Sequence, residues 1–279
     1  MSFEIVMNYQ CPLCHQPLTL SNRTFKCDNN HQFDLAKEGY VNLMPAHHKR
    51  SKDPGDNKEM MQARRRFLEA DHYDPMRQEV ARLAAQYCQG SQHALLDIGC
   101  GEGYYTDHIQ KVLSKQDSRT RVYGLDISKV AIRYAAKRYP DSAFSVASSH
   151  RLPFDDASLD AIVRIYAPCK AQELARVVKT GGVVITVTPA GRHLYQLRER
   201  IYQDVRLHSE ETEVLEGFTL EQQHKLNYVM DLSNGLGFDL LQMTPFAWKA
   251  SEELRNELTS TTLFQCEADF MIRIYRRNH

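Results

Sequence analysis

The apolar run LLDI at residues 95–98 stops on GCGEG, which holds Gly99, Gly101 and Gly103, and passes at once into the helix-like stretch YYTDHIQKVLSK. A strand that ends on alternating glycines and turns into a helix constrains the fold more than any other stretch of this chain. Glycine carries no Cβ, so the backbone can reverse sharply and approach a ligand closely. The spacing is G-x-G-x-G, not the G-x-G-x-x-G of dinucleotide-binding folds. Asp97 lies inside the strand end, and Asp126 closes a second apolar run, RVYGLDIS. A carboxylate at that place can accept both hydroxyls of a ribose. Asp97, Gly99, Gly101 and Asp126 are therefore candidate residues for binding a nucleoside-containing cofactor.

The flanking periodicity supports this. From Glu59 to about Tyr87 the pattern is helical, broken at Asp74-Pro75. Strand and helix patterns then alternate: HALLDIG, GYYTDHIQKVLSK, RVYGLDIS, KVAIRYAAKRYP, AFSVASS, LDAIVRIY, KAQELARVVKTGG (closed by glycine at its C-terminus) and VVITVTP. Such alternation predicts an α/β, Rossmann-like, mostly parallel sheet with helices on both faces and the ligand at the carboxyl ends of the strands. Beyond it, GRHLYQLRERIYQDV reads as a helix and the terminal FQCEADFMIRIYRR as one edge strand.

The first 45 residues are different. Their apolar runs are short and broken by Pro, Asn and Asp, too little for an independent core without a staple. Cys11-x2-Cys14, twelve residues, and Cys27-x3-His31 supply one. Three thiolates and an imidazole suit a tetrahedral Zn²⁺, and four protein ligands leave no open position, so the site is expected to be structural. His15 is a spare nearby. Metal binding would supply the folding energy the segment lacks. The expected organisation is a small zinc-binding domain at 1–45, a linker at 46–58 and an α/β domain at 59–279.

Net charge is zero, with 35 basic and 35 acidic residues, so the chain has no general affinity for nucleic acid. Residues 47–66 nevertheless hold seven Lys or Arg against three Asp or Glu. That reads either as a solvated helix face or as a basic surface. No run is long and apolar enough to span a membrane, and the N-terminus lacks a basic segment followed by an apolar one, so a cytoplasmic protein is expected. Seven cysteines in such a chain do not suggest a disulfide framework.

DIGCGEG and LDIS, with the alternating units, resemble the first and second motifs of Class I S-adenosylmethionine-dependent methyltransferases over roughly residues 90–190. VASSHRLPF resembles the third motif, with Ser148-Ser149 where relatives usually carry Asp-Ala; the Ser148 hydroxyl can still accept from an adenine amino group. RIYAPC lies where the fourth motif ends. The order CPLC, C-x3-H, QFD, AKEGYVNLMP, HKRS, MMQARR, DIGCGEGYYT, SSHRLPF, RIYAPCK and TPFAWKA resembles, over nearly the full length, the bacterial 23S ribosomal RNA guanine-N1 methyltransferases of the RlmA type. That resemblance implies zinc on Cys11, Cys14, Cys27 and His31, and S-adenosylmethionine contacts from Tyr73, Gly101-Glu102 and His193. It further implies a guanine target in a hairpin loop of 23S ribosomal RNA and, more distantly, a homodimer.

Read alone, Tyr73 is a core aromatic that ends a helix, and His193 a surface residue at a helix start. Lys49, Arg50, Lys52, Arg64, Arg65 and Arg66 are candidates for phosphate contacts, which position an RNA without choosing its sequence. Tyr166 is a candidate to stack on the flipped guanine, or else a strand-end core residue. The catalytic base is open; His150 and Glu102 are candidates by position, and His150 and Tyr166 are the candidate catalytic residues. Two other readings fit part of the chain. A small-molecule methyltransferase explains the α/β core but not the zinc segment. A non-catalytic zinc-dependent RNA-binding protein leaves the glycine loop with Asp126 unexplained.

Overall fold

The computed structural model describes residues 8–45, 58–89 and 92–279. Lys49, Arg50 and Lys52 lie outside the described residues. The chain opens with β1 (Thr19–Ser21), β2 (Thr24–Lys26) and β3 (Gln32–Asp34), an antiparallel sheet in that order. Asn22 and Arg23 both take positive φ, 50° and 79°, the two-residue reversal whose twist matches a tight hairpin. β4 (Val41–Asn42) follows, then α1 (Lys58–Glu69) and α2 (Asp74–Tyr87). Pro75 lies in the first turn of α2, where its missing N–H has no intrahelical partner to lose. Tyr73 is therefore the N-cap of α2, and the preceding helix has already ended at Glu69, four residues short of the expected stop.

The alternating part runs β5 (Ala94–Ile98), α3 (Tyr104–Gln116), β6 (Arg121–Asp126), α4 (Lys129–Arg138), β7 (Ala143–Val146), β8 (Leu159–Ile165), α5 (Ala171–Val177) and β9 (Val178–Pro189). The last third holds α6 (Tyr195–Glu199), β10 (Phe218–Ser233), α7 (Leu236–Gln242), α8 (Glu252–Ser260) and β11 (Leu263–Arg277). One eight-stranded sheet results, in the order β10-β11-β9-β8-β5-β6-β7-β4. The pairs from β9 through β4 are parallel; β11 is antiparallel to both neighbours. β5 sits where the strand order reverses, with β8 on one side and β6 on the other, the position at which such sheets bind ligands.

Three further expectations change. α5 stops at Val177, and Val178–Thr180 already belong to β9, so the glycines at 181–182 lie within a strand rather than capping a helix. The helix expected over GRHLYQLRERIYQDV is only five residues long. The Arg198 guanidinium binds the carbonyls of both His193 and Arg206, folding the following chain back on itself. The terminal strand is not an edge: β11 lies between β9 and β10, and Ala268–Tyr275 are buried without interruption. The edge is β10, FTLEQQHKLNYVMDLS, whose polar face takes the solvent.

The Cys/His segment shares its core with this sheet. β4 pairs with β7, and Leu43 N–H donates to Val146 O at 2.9 Å. Tyr9, 1% exposed, packs its ring 5.4 Å from Phe25, 5.5 Å from Tyr123 and 5.2 Å from Phe154. Phe25, Leu18, Val41 and Leu43 belong to the same apolar cluster as Leu96, Tyr123 and Ile162. Burial of each such side chain contributes about 1.5–3 kcal/mol, so the ribbon is held by the sheet as well as by its Cys/His cluster. Among the described residues, no helix is long and apolar enough to cross a membrane.

Candidate active site and metal centre

The two knuckles, Cys11–Cys14 and Cys27–His31, face each other across the β1–β2 hairpin. All four donor atoms lie within 4.8 Å of one another. His31 Nδ1 stands 3.5 Å from Cys11 Sγ, 3.3 Å from Cys14 Sγ and 3.5 Å from Cys27 Sγ, and Cys14 Sγ is 3.6 Å from Cys27 Sγ. Zn–S bonds of about 2.3 Å and Zn–N bonds of about 2.0–2.1 Å give tetrahedral edges of roughly 3.5–3.8 Å, so the set fits one zinc ion. His15, at φ 62°, forms the exposed back of the first knuckle and is not a member of the cluster.

At the end of β5, Gly99, Gly101 and Gly103 all take positive φ, 73°, 54° and 84°. A Cβ on Gly99 would stand 2.8 Å from the Cβ of Ala167, so the loop and the segment after β8 touch directly. A Cβ on Gly101 would meet nothing within 4 Å: the backbone there faces open space, as a cradle for a ligand requires. The Asp126 carboxylate accepts Gly101 N–H at 3.0 Å through one oxygen and Ser128 N–H at 2.8 Å through the other. It thereby fixes the loop it faces. Asp97 is 1% exposed and accepts from Thr106 Oγ1 at 2.7 Å. Burial, opposed by that bond and reinforced by Asp126, pushes its carboxyl up to about 7. Asp97 thus acts from beneath the cradle. Ser148 follows β7, half-buried, its Oγ accepting His150 N–H at 3.1 Å; His150 is exposed. Cys169 donates to Ser149 O at 3.3 Å, joining this turn to the segment after β8.

Past β8 and β9 lies an aromatic group. His193, 7% exposed, packs its ring 4.8 Å from Phe270, 6.1 Å from Tyr166 and 6.4 Å from Tyr73. Tyr73, also buried, meets Phe67 and Phe270 edge-on at 5.0 and 5.3 Å. His193 Nδ1 accepts Asp269 N–H at 3.2 Å, and burial, with His208 and Arg198 adding, lowers its pKa to about 3. The ring is neutral with its proton on Nε2, which is then the donor to the Tyr166 hydroxyl at 3.4 Å. Tyr166 itself sits at φ 58°, a left-handed conformation rare for an aromatic residue, and is 47% exposed. Strain of this kind persists where surrounding structure imposes it and clusters at functional sites. The structure thus brings Tyr73, Tyr166 and His193 into one group. Sequence reasoning missed Phe270 and Asp269; the alternation of the last strand was the only signal for them.

The three arginines of α1 diverge. Arg65 makes a bidentate pair with Glu102 of the glycine loop, at 2.8 and 2.6 Å, and stacks 4.3 Å over Tyr134. Arg66 pairs bidentately with Asp239 of α7, and Arg64 donates to Met243 O at 3.4 Å. Arg65 and Arg66 meet a phosphate only by sharing these partners.

A glycine cradle with a carboxylate at the next strand end, on this sheet order, defines a Class I S-adenosylmethionine-dependent methyltransferase, here joined to a zinc ribbon. The family model described as RlmA, N-terminal matches residues 9–52, and that described as Methyltransferase domain matches residues 96–186. A 23S rRNA (guanine(748)-N(1))-methyltransferase of Streptomyces fradiae is 31% identical over 254 residues, covering 89% of this chain and 88% of that one. A Bacillus subtilis (strain 168) protein, provisionally named a 23S rRNA (guanine-N(1)-)-methyltransferase, is 32% identical over 256 residues, 88% of each. The crystal structure of the YcgJ protein from Bacillus subtilis covers 71% of this chain and 97% of that one at 19% identity and a TM-score of 0.48. The chain belongs to the family of 23S rRNA (guanine-N1)-methyltransferases.

Proposed function

We propose that this protein methylates N1 of a guanine in a hairpin loop of 23S ribosomal RNA, in the cytoplasm, using S-adenosylmethionine. The observation that carries the reading is the shared sheet: β4 of the ribbon extends the sheet whose β5 bears the cofactor cradle. A small-molecule methyltransferase has no use for such a fixed second module. In this reading residues 1–45 are the RNA-recognition module, 46–58 the linker and 59–279 the methyltransferase domain. The homodimer belongs to the same reading and is checked by sedimentation.

Gly99 and Gly101 bring the backbone against the cofactor, and Asp126 holds its ribose. Ser148 accepts from the adenine amino group, Glu102 is fixed beside the loop by Arg65, and Tyr73 and His193 wall the methionine end. When bound, the cofactor supplies a sulfonium methyl, an electrophile with a neutral leaving group. Tyr166 stacks on the flipped guanine, since its exposed ring face is available while its hydroxyl is anchored on His193. Guanine N1, held in line with that methyl, would take it as the carbon–sulfur bond broke and would give up its own proton. His193, neutral and donating through Nε2, is a positioning residue; His150, exposed at the rim, is the candidate to take that proton. Positioning supplies most of the rate. Lys49, Arg50, Lys52 and Arg64 are the phosphate candidates, with Arg65 and Arg66 contributing as they release their carboxylates.

The test is methyl transfer from labelled S-adenosylmethionine to 23S RNA that lacks its modifications. Label recovered as 1-methylguanosine is the expected result. Label in another nucleoside, or none in any RNA, would overturn the assignment.

A further inference from the structure

Trp248, the only tryptophan of the chain, is 76% exposed. Its exposure is built in. The 3₁₀ turn Ala247–Lys249 that carries it is anchored on both sides: the Arg255 guanidinium holds the carbonyls of Ala247 and Ala250, and Phe246 packs on the core and on Tyr202, 6.4 Å away. Lys249 places its ammonium 4.8 Å from the Tyr202 ring and 5.0 Å from the Trp248 ring. It has no carboxylate partner among the described residues.

We propose that Trp248 is a stacking platform for an unpaired RNA base beside the target guanine, with Lys249 as its phosphate contact. The proposal rests on the RNA reading above and adds a second contact surface to it. A rigid, water-exposed indole offers a sequence-tolerant π face worth about 1–3 kcal/mol per stacked base. An adjacent cation with ring partners but no carboxylate partner makes that face complementary to a polyanion rather than to an apolar protein surface. The segment that supports the turn also carries His193 of the aromatic group. Arg198 donates to His193 O at 3.3 Å, while its own carbonyl accepts Tyr202 N–H at 2.9 Å. On the other side, Arg64 donates to Met243 O, five residues before Trp248.

Because the chain has one tryptophan, fluorescence excited at the red edge of the indole band, where its 14 tyrosines do not absorb, reports this position alone. Titrating the full-length protein with a 23S hairpin RNA is expected to quench the emission at the concentration that saturates binding. Trp248→Ala should weaken RNA binding and raise KM for RNA roughly 5- to 150-fold, leaving kcat at saturating RNA unchanged. Trp248→Phe should retain most of the affinity, and Lys249→Met should lower the salt slope of binding by about one. If the wild type methylates the RNA but its emission does not move and Trp248→Ala keeps the wild-type KM, the platform is wrong and the methyltransferase reading stands. If the wild type methylates no RNA, that reading fails, and quenching by RNA alone then decides the platform: emission unmoved overturns it, emission quenched supports it.

Discussion

Replacing Asp97 by Asn should change the pH dependence of folding more than it changes the fold. The side chain is 1% exposed, and its carboxyl is raised from 3.8 to about 7, chiefly by burial. In the folded protein Asp97 holds a proton that the unfolded chain releases above about pH 4. Its contribution to stability is therefore fully present below that pH and is lost as pH rises through about 7. Three pKa units correspond to about 4 kcal/mol. Asn keeps an acceptor oxygen for Thr106 Oγ1, now at 2.7 Å from the carboxylate, and removes the titration. Any unsatisfied amide hydrogen it adds is independent of pH. Urea unfolding of both proteins without cofactor is the assay. The stability of Asp97→Asn relative to wild type should rise by about 4 kcal/mol between about pH 4 and about pH 8. Other titrating groups are common to both proteins and cancel. A difference that stays constant with pH, or falls, would refute the argument that burial governs this carboxyl.

Gly99→Ala puts a Cβ 2.8 Å from Ala167 at φ 73°; about 1–2 kcal/mol is lost to the backbone alone, and calorimetry should show weakened S-adenosylmethionine binding, with unchanged affinity counting against the cradle. Asp126→Ala removes the acceptor for both Gly101 and Ser128; cofactor affinity should fall roughly tenfold or more, read by the same titration. Cys27→Ser should reduce bound zinc below one equivalent by atomic absorption and lower the melting temperature, since three donors no longer close the tetrahedron. Phe25→Ala, at a fully buried position shared by ribbon and sheet, should cost about 3–5 kcal/mol in denaturant unfolding; a loss under about 1 kcal/mol would mean that the ribbon and the sheet do not share a core.

The chain's chemistry was legible where it depends on near neighbours. Ligand spacing in Cys11–Cys14 and Cys27–His31 sets knuckle geometry within a few residues, and glycine at 99, 101 and 103 sets the positive φ of a turn within five. The alternating patterns likewise gave the parallel strands, because burial on both faces leaves near-continuous apolar runs. Tertiary structure decided what depends on distant partners. Alternation in FQCEADFMIRIYRR states which side chains share a face, not whether another strand will cover the edge. β10 covers it, and so Phe270 and Asp269 come to pack on and orient His193, more than seventy residues earlier in the chain. The pairing of Glu102 with Arg65 and the joining of β4 to β7 are decisions of the same kind. A turn obeys its own residues, whereas a sheet edge and an aromatic pocket are settled by whichever remote surface buries them.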